Sequence, residues 1–366
     1  MAVFDITNAC NLRCIYCCRG EYDRNKIKEP SRQEILDTIQ QFVKNRSTFV
    51  VLQGGEPLIR KDIVPILKSV GEFRKTPGSH LFEDLKELLK LRVKPEEFQL
   101  KYKKTLIKNG LPVFYVTTNG MIDSEEIKQA LIDGGFSVDI SLDSVDPQVN
   151  RLTRIGIDFE KVVSTIDHFS DKLPVHLSCT VTEYNVDTLT QMLSFAKEHS
   201  CLSVKYSPVI MVGSRKENDE KFRDRYFEQL NRILDRFKNY QDDLFLNVKL
   251  YPHYLDCKAG REIYQRLSNT TNIVLEMHEC AALHMIKEIY VDTNLDVYGC
   301  ASMKGTKEAV IGNLHDMSLY EIWHSNTRKE MWKNLQKTHD LLCEYGGCVG
   351  AAFCQKIREQ GMTNER

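Results

Sequence analysis

Cys10, Cys14, Cys17 and Cys18 place four of the chain's twelve cysteines inside nine residues. The first three follow C-x3-C-x2-C, with no histidine beside them. A structural zinc site usually closes a tetrahedron with four ligands, from paired C-x2-C knuckles or added histidines. Three thiolates suit a cubane iron–sulfur cluster instead, with one iron left open to a substrate or cofactor. Zinc in a non-catalytic scaffold stands as the rival reading. Cys18 breaks the spacing and reads as a neighbour of the ligands. Cys179 and Cys201 read as small buried hydrophobes, and six further cysteines, at 257, 280, 300, 343, 348 and 354, lie in the C-terminal region.

These thiols need a frame. AVFDIT (2–7), TFVVLQ (48–53), VFYVTT (113–118), SVDISLD (137–143), VHLSCTVT (175–182) and SVKYSPVI (203–210) read as strands. Amphipathic helices fall between them. The first follows a capping box of Ser31 and Glu34 and buries Ile35, Ile39 and Phe42; others run near 60–70, 124–133, 159–169 and 186–198. Six β/α units in series imply parallel strands with helical crossovers, as an open sheet or a partial barrel. Either architecture gathers functional groups at the C-terminal strand ends. The cysteine loop directly follows the first strand, which puts it at such an end.

One connection is oversized. Between Gly71 and Gly110 the pattern predicts two helices, one with Leu81, Phe82, Leu85, Leu88 and Leu89, the other starting at Pro95 with Phe98, Tyr102 and Leu106. This stretch holds ten Lys/Arg against six Asp/Glu. It reads as an insertion packed on the barrel, expected beside the barrel mouth, where it would contact substrate or gate access. Residues 216–245 read as a charged bridging helix, and 246–366 as a different, cysteine-bearing region.

A chain of 366 residues with 42% hydrophobic and 28% charged residues suits two domains, one of them large. Its net charge of −1 offers no global attraction to nucleic acid or an anionic membrane. No apolar run reaches the length of a spanning helix. MAVFDITN lacks the charged region and apolar core of a signal peptide, so a cytoplasmic location is expected. Thiols there stay reduced, which favours metal binding or chemistry over disulfides.

CNLRCIYC resembles the signature loop of the radical S-adenosylmethionine (SAM) enzymes, down to the aromatic Tyr16 before the third cysteine. LQGGEPL, ending the second strand, resembles the family's Gly-Gly-Glu motif. There Gly54 and Gly55 permit close backbone approach, and Glu56 offers a carboxylate to the methionine ammonium. TTNG, with Thr118 and Asn119, resembles the segment near the ribose and methionine moieties, and DISLDS resembles a strand whose Ser141 faces SAM. SCTVTEYN stands where adenine-side contacts usually lie. The resemblance implies an α/β fold, a partial (β/α)6 barrel over 1–215. It also implies a [4Fe–4S] cluster on Cys10, Cys14 and Cys17, and reductive cleavage of SAM to a 5′-deoxyadenosyl radical that abstracts hydrogen from substrate.

Further on, CAALHMIKEIYVDTNLDVYGC, IGNLHDMSLYEIW and CEYGGCVGAAFC resemble the SPASM and shorter twitch extensions, which hold auxiliary iron–sulfur clusters. Leu295 stands where that pattern usually has glycine, and C-x4-C-x5-C replaces its usual cysteine run. The resemblance implies one auxiliary [4Fe–4S] cluster on Cys280, Cys300, Cys343 and Cys348. Cys354 is the alternative ligand, and a second cluster is open if Cys257 joins it. A peptide or protein substrate is expected ahead of a small metabolite, with a flavodoxin- or ferredoxin-type electron donor and neither nucleic acid nor membrane as partner.

Overall fold

The structure, a computed structural model, describes residues 1–17, 29–73, 80–209, 216–277 and 288–339. Eleven strands form one sheet: β1 (Ala2–Thr7), β2 (Phe49–Gly54), β3 (Val113–Thr118), β4 (Ser137–Ser141), β5 (Val175–Val181), β6 (Ser203–Pro208), β7 (Phe245–Leu250), β8 (Ile273–Met277), β9 (Ile289–Val291), β10 (Asp296–Tyr298) and β11 (Gly312–Asn313). From β1 to β8 the strands lie side by side in chain order, each parallel to the next. The parallel α/β architecture is therefore present, and it runs two strands beyond the six units counted from the sequence. The 22-residue helix Lys216–Phe237, read as a bridge to another region, is the crossover from β6 to β7. Its length and charge disguised a continuing repeat.

The sheet curls, because residues of all eight parallel strands line one cavity of about 520 Å³. Period-two alternation decides which side chains face it. In β2, Phe49, Val51 and Gln53 line the cavity, while Val50 and Leu52 are buried on the other face. On that outer face the helix Arg32–Lys44 buries Ile35, Ile39 and Phe42, and the Phe42 ring meets Phe4 edge-on at 6.2 Å. Its capping box is formed as expected: Glu34 N–H donates to the Ser31 hydroxyl and Ser31 N–H to the Glu34 carboxylate.

The insertion folds as the helices Leu81–Leu89 and Pro95–Lys108. Its place differs from expectation. Leu81, Leu85, Leu88, Leu89, Phe98 and Leu106 pack with Val113, Leu202 and Phe245, which stand at the N-terminal ends of β3, β6 and β7. The insertion thus closes the end of the barrel opposite the cysteine loop, and Gln99, Tyr102 and Lys103 floor the cavity. The apolar face that the sequence revealed says that a helix packs, but not at which strand end.

At the other edge β9 lies parallel to β1, in register Ala2 with Ile289, and turns back as the antiparallel β9–β10 hairpin. The hairpin spans Ile289 to Tyr298, just before Cys300. Its turn closes through Leu295, buried and left-handed at φ 63°. For a non-glycine residue this conformation costs about 1–2 kcal/mol, which accounts for the glycine that the related pattern carries there.

Candidate active site

The C-terminal ends of the first four strands are knit together around the cysteine loop. Gly55 N–H donates to the Thr7 carbonyl at 2.8 Å and Glu56 N–H to the Ala9 carbonyl at 2.7 Å. A Cβ on Gly54 would sit 2.2 Å from the Thr7 oxygen, and one on Gly55 would sit 2.0 Å from the Ala9 oxygen. Both glycines are therefore demanded by the chain's own approach to the base of the cysteine loop. The close approach seen is to the chain's own Thr7–Ala9 backbone.

Glu56 turns inward and is 3% exposed. It accepts from Thr118 Oγ1 at 2.9 Å, from Asn119 N–H at 2.7 Å and from Leu58 N–H at 3.1 Å. Burial pushes its pKa up to about 7, against the pull of the Asn119, Leu58 and Thr118 hydrogen bonds. Three donors leave one of the roughly four lone-pair sites of a carboxylate for an outside donor. The Asn119 amide donates in turn to Asn11 Oδ1 at 2.7 Å, which ties the end of β3 to the cysteine loop. Ser141 ends β4 half-buried, on the same face as the cavity-lining Asp139.

A second anchor was not singled out from the sequence. Asp143, fully buried, meets Arg154 Nε at 3.1 Å and accepts from Tyr16 Oη at 2.6 Å and Thr180 N–H at 3.1 Å. Arg154 Nη1 also lies 3.9 Å from Cys14 Sγ. Burial opposes the charge on Arg154, but the Asp143 carboxylate beside it more than offsets this and holds the guanidinium cationic. Burial pushes the Cys14 thiol up to about 11, with Arg154 pulling the other way. In the sequence Tyr16 reads only as an aromatic, Asp143 lies inside the motif that points to Ser141, and Arg154 belongs to no recognisable motif. Asn185, in the segment expected near adenine, is fully buried and holds the Asp143 and Thr180 carbonyls at 2.8 and 2.9 Å.

Cys10, Cys14 and Cys17 thus share one loop at the C-terminal end of β1, with Glu56, Thr118 and Asn119 beside its base. Among the described residues no three Cys, His, Asp or Glu side chains converge on a single metal ion. Three thiols with no histidine in the loop are a soft donor set that fits a [4Fe–4S] cluster. Cys300 is buried at the end of the hairpin, its Sγ 2.9 Å from Ser302 Oγ. Cys280, Cys343, Cys348 and Cys354, and also Cys18, lie outside the described residues. Cys179 and Cys201 are buried as expected. Cys257 is half-buried and caps the helix Lys258–Asn269 by accepting from Gly260 N–H at 3.3 Å.

Comparison with known proteins agrees with this geometry. Residues 4–196 match the radical SAM superfamily, and residues 280–348 match the SPASM iron–sulfur cluster-binding domain. GTP 3',8-cyclase of Pseudomonas syringae pv. syringae is 30% identical over 216 residues, 57% of this chain and 53% of that protein. The probable GTP 3',8-cyclase of Methanocaldococcus jannaschii is 25% identical over 197 residues, 53% of each. The chain spans about half the length of these curated relatives. Streptococcus suis SuiB, solved bound to S-adenosylmethionine, has a TM-score of 0.65 at 13% identity, covering 96% of this chain and 71% of SuiB. The anSMEcpe structure with bound AdoMet has a TM-score of 0.59 at 18% identity, covering 98% and 95%. Both structures share the fold. No helix among the described residues is long and apolar enough to cross a membrane. With the three-thiol loop, the Gly-Gly-Glu strand end and a matched majority of its length, the chain belongs to the radical SAM superfamily, with S-adenosylmethionine and [4Fe–4S] clusters as its cofactors.

Proposed function

We propose that Cys10, Cys14 and Cys17 hold the SAM-binding [4Fe–4S] cluster, and that the chain generates a 5′-deoxyadenosyl radical to abstract hydrogen from a peptide or protein substrate. When bound and reduced, the cluster supplies the electron that cleaves SAM. The chain's part is positioning. Glu56 takes the methionine ammonium on its remaining lone pair, flanked by Thr118, Asn119 and the backbone at Gly54 and Gly55. Ser141 borders the same space from β4. Cys280, Cys300, Cys343 and Cys348 hold one auxiliary cluster, with Cys354 as the competing ligand. A low-potential protein carrier supplies electrons.

One observation carries the substrate reading. The cavity below the site is walled by Phe49, Tyr102, Tyr115 and Phe245, and its charged side chains are two lysines, 103 and 205, against Asp139 and Glu276. Such a balanced, aromatic-walled space suits a peptide side chain. A nucleoside triphosphate, as the names of the cyclase relatives suggest, would bring several negative charges to a cavity whose lining side chains carry two cations and two anions. The peptides encoded by short reading frames beside the gene are the substrates to assay, with dithionite and SAM under anaerobic conditions and GTP in parallel. Peptide-dependent 5′-deoxyadenosine with a mass change in the peptide is expected. GTP-dependent formation, with no response to any of these peptides, would overturn the substrate reading.

Glu56→Gln is expected to weaken SAM binding about tenfold or more without loss of the cluster. A charge-assisted contact contributes roughly 1.5–3 kcal/mol, and the amide would also turn a donor toward one of the three present donors. The same carboxylate makes SAM affinity rise as pH passes upward through about 7. In the ligand-free protein the folded pKa lies above the ordinary 4.5. The folded chain then keeps a proton that the unfolded chain loses, so this group's contribution to stability falls as pH climbs from about 4.5 to 7. Calorimetric SAM titrations from pH 6 to 8 that show equal affinities for wild type and Glu56→Gln would remove Glu56 from the SAM site.

Iron analysis tests the auxiliary site. Reconstituted protein is expected to hold about eight irons, and a Cys10/Cys14/Cys17 triple alanine variant about four, whose spectrum SAM does not change. A triple variant free of iron would exclude the auxiliary cluster.

A further inference from the structure

Arg13 and Cys14 pair antiparallel with Ile155 and Arg154, and Ile15 N–H donates to the Thr153 carbonyl at 3.0 Å. This short ribbon has two faces, because side chains alternate along each strand. Cys14 and Arg154 share the inner face, toward buried Asp143. Arg13, Ile15 and Ile155 share the outer one. The outer face is apolar and exposed: Ile15 is 48%, Ile155 52% and the adjoining Leu152 54% exposed. Arg13 and Arg151, also exposed, flank it, and neither guanidinium has a carboxylate partner among the described residues. The acidic residues nearest Arg151 in sequence, Asp146 and Asp158, are turned to helix N-termini. Cys17 is exposed beside the ribbon.

We propose that this outer face, Arg13, Ile15, Arg151, Leu152 and Ile155, is where an acidic, low-potential one-electron carrier protein docks. The inference rests on the cysteine loop holding a redox cluster. An apolar centre rimmed by unpaired cations is what an acidic carrier with a small apolar contact surface complements, and charge pairing of this kind sets encounter rate and orientation. The inner side of the loop is committed to Asn119 through Asn11, and beyond it to Glu56 and the cavity. The outer side is therefore the way in, and Cys14 is one peptide unit from exposed Ile15. One electron leaves the reduced carrier, which is oxidised by one equivalent, and reduces by one equivalent the group held by Cys10, Cys14 and Cys17. No bond or proton is exchanged at this surface.

Two variants test the surface, Arg151→Glu with Leu152→Ser and, separately, Ile155→Glu. All three side chains are exposed. The probe is an acidic plant-type [2Fe–2S] ferredoxin, titrated by calorimetry and used at subsaturating concentration to drive 5′-deoxyadenosine formation in the holoenzyme, with dithionite in parallel. Each variant is expected to raise the ferredoxin Kd about tenfold and to lower the ferredoxin-driven rate to match, while the dithionite-driven rate is unchanged. Wild type that does not bind ferredoxin, an unchanged Kd in both variants, or equal losses under both reductants would overturn the docking site. So would sedimentation showing that the patch joins two copies of this chain. Wild type inactive even with dithionite would instead sink the radical reading, and calorimetry would still decide the docking question.

Discussion

Alanine at Cys10, Cys14 and Cys17 is expected to abolish 5′-deoxyadenosine formation under dithionite, for each single variant and for the triple. The loss is total because the three thiols are the loop's whole set of soft ligands among the described residues. Asn11 and Tyr16, the polar neighbours within the loop, are engaged with Asn119 and Asp143. Serine in place of any one is expected to fail as well, since a hard alcohol is a poor ligand for a cluster that prefers thiolate. The fold is expected to survive, because Cys14 and Cys10 are only partly buried and Cys17 is exposed. Liquid chromatography of quenched reactions reads the result. Undiminished 5′-deoxyadenosine from the triple variant would remove the cluster from this loop.

Arg154→Met is expected to destabilise the protein by about 3–5 kcal/mol, the usual cost of stripping one partner from a buried ion pair. Asp143 is fully buried and would be left with only the Tyr16 hydroxyl and the Thr180 N–H as partners. The damage then spreads to the cysteine loop, because Arg154 also pairs by backbone with Cys14. Adding Asp143→Asn is expected to restore much of the loss, since the neutral amide no longer needs a cation. Urea midpoints for the single and double variants measure both effects. A single-variant loss below about 1 kcal/mol, or no recovery in the double, would show that the pair does not hold the loop.

The sequence made some of this legible and hid the rest for physical reasons. Strands such as Ala2–Thr7 and Val113–Thr118 were readable because β-branched and aromatic residues crowd short segments bounded by turn signals. Helix Phe159–Phe169 was readable because its apolar residues keep to one face. The strands β7 and β8 hid behind a charged 22-residue crossover that looked like a boundary. Motifs that touch ligand or metal are compact in sequence, so Cys10–Cys17 and Gly54–Glu56 stood out. The groups that hold them in place are not compact. Asp143 and Arg154 meet Tyr16 only after four strands have been laid down, and no local spacing announces that. The two-helix insertion shows the same limit, since amphipathicity reveals a buried face without naming the strand end beneath it.

The pairing of β1 with β9 has a consequence for synthesis of the chain. β1 is made first, yet one of its edges waits for Ile289, 287 residues beyond its partner Ala2. At roughly 5–20 residues per second of translation, that edge stays open for roughly 15–60 s. Meanwhile buried Asp5 lacks Lys304 and Tyr290, and Asn8 lacks Thr293. An unpaired strand edge is a template for pairing with other chains, and contacts this far apart in sequence form slowly. The first strand, which carries the cysteine loop at its end, is thus among the last to be completed, and a nascent chain released before Ile289 keeps that edge open permanently.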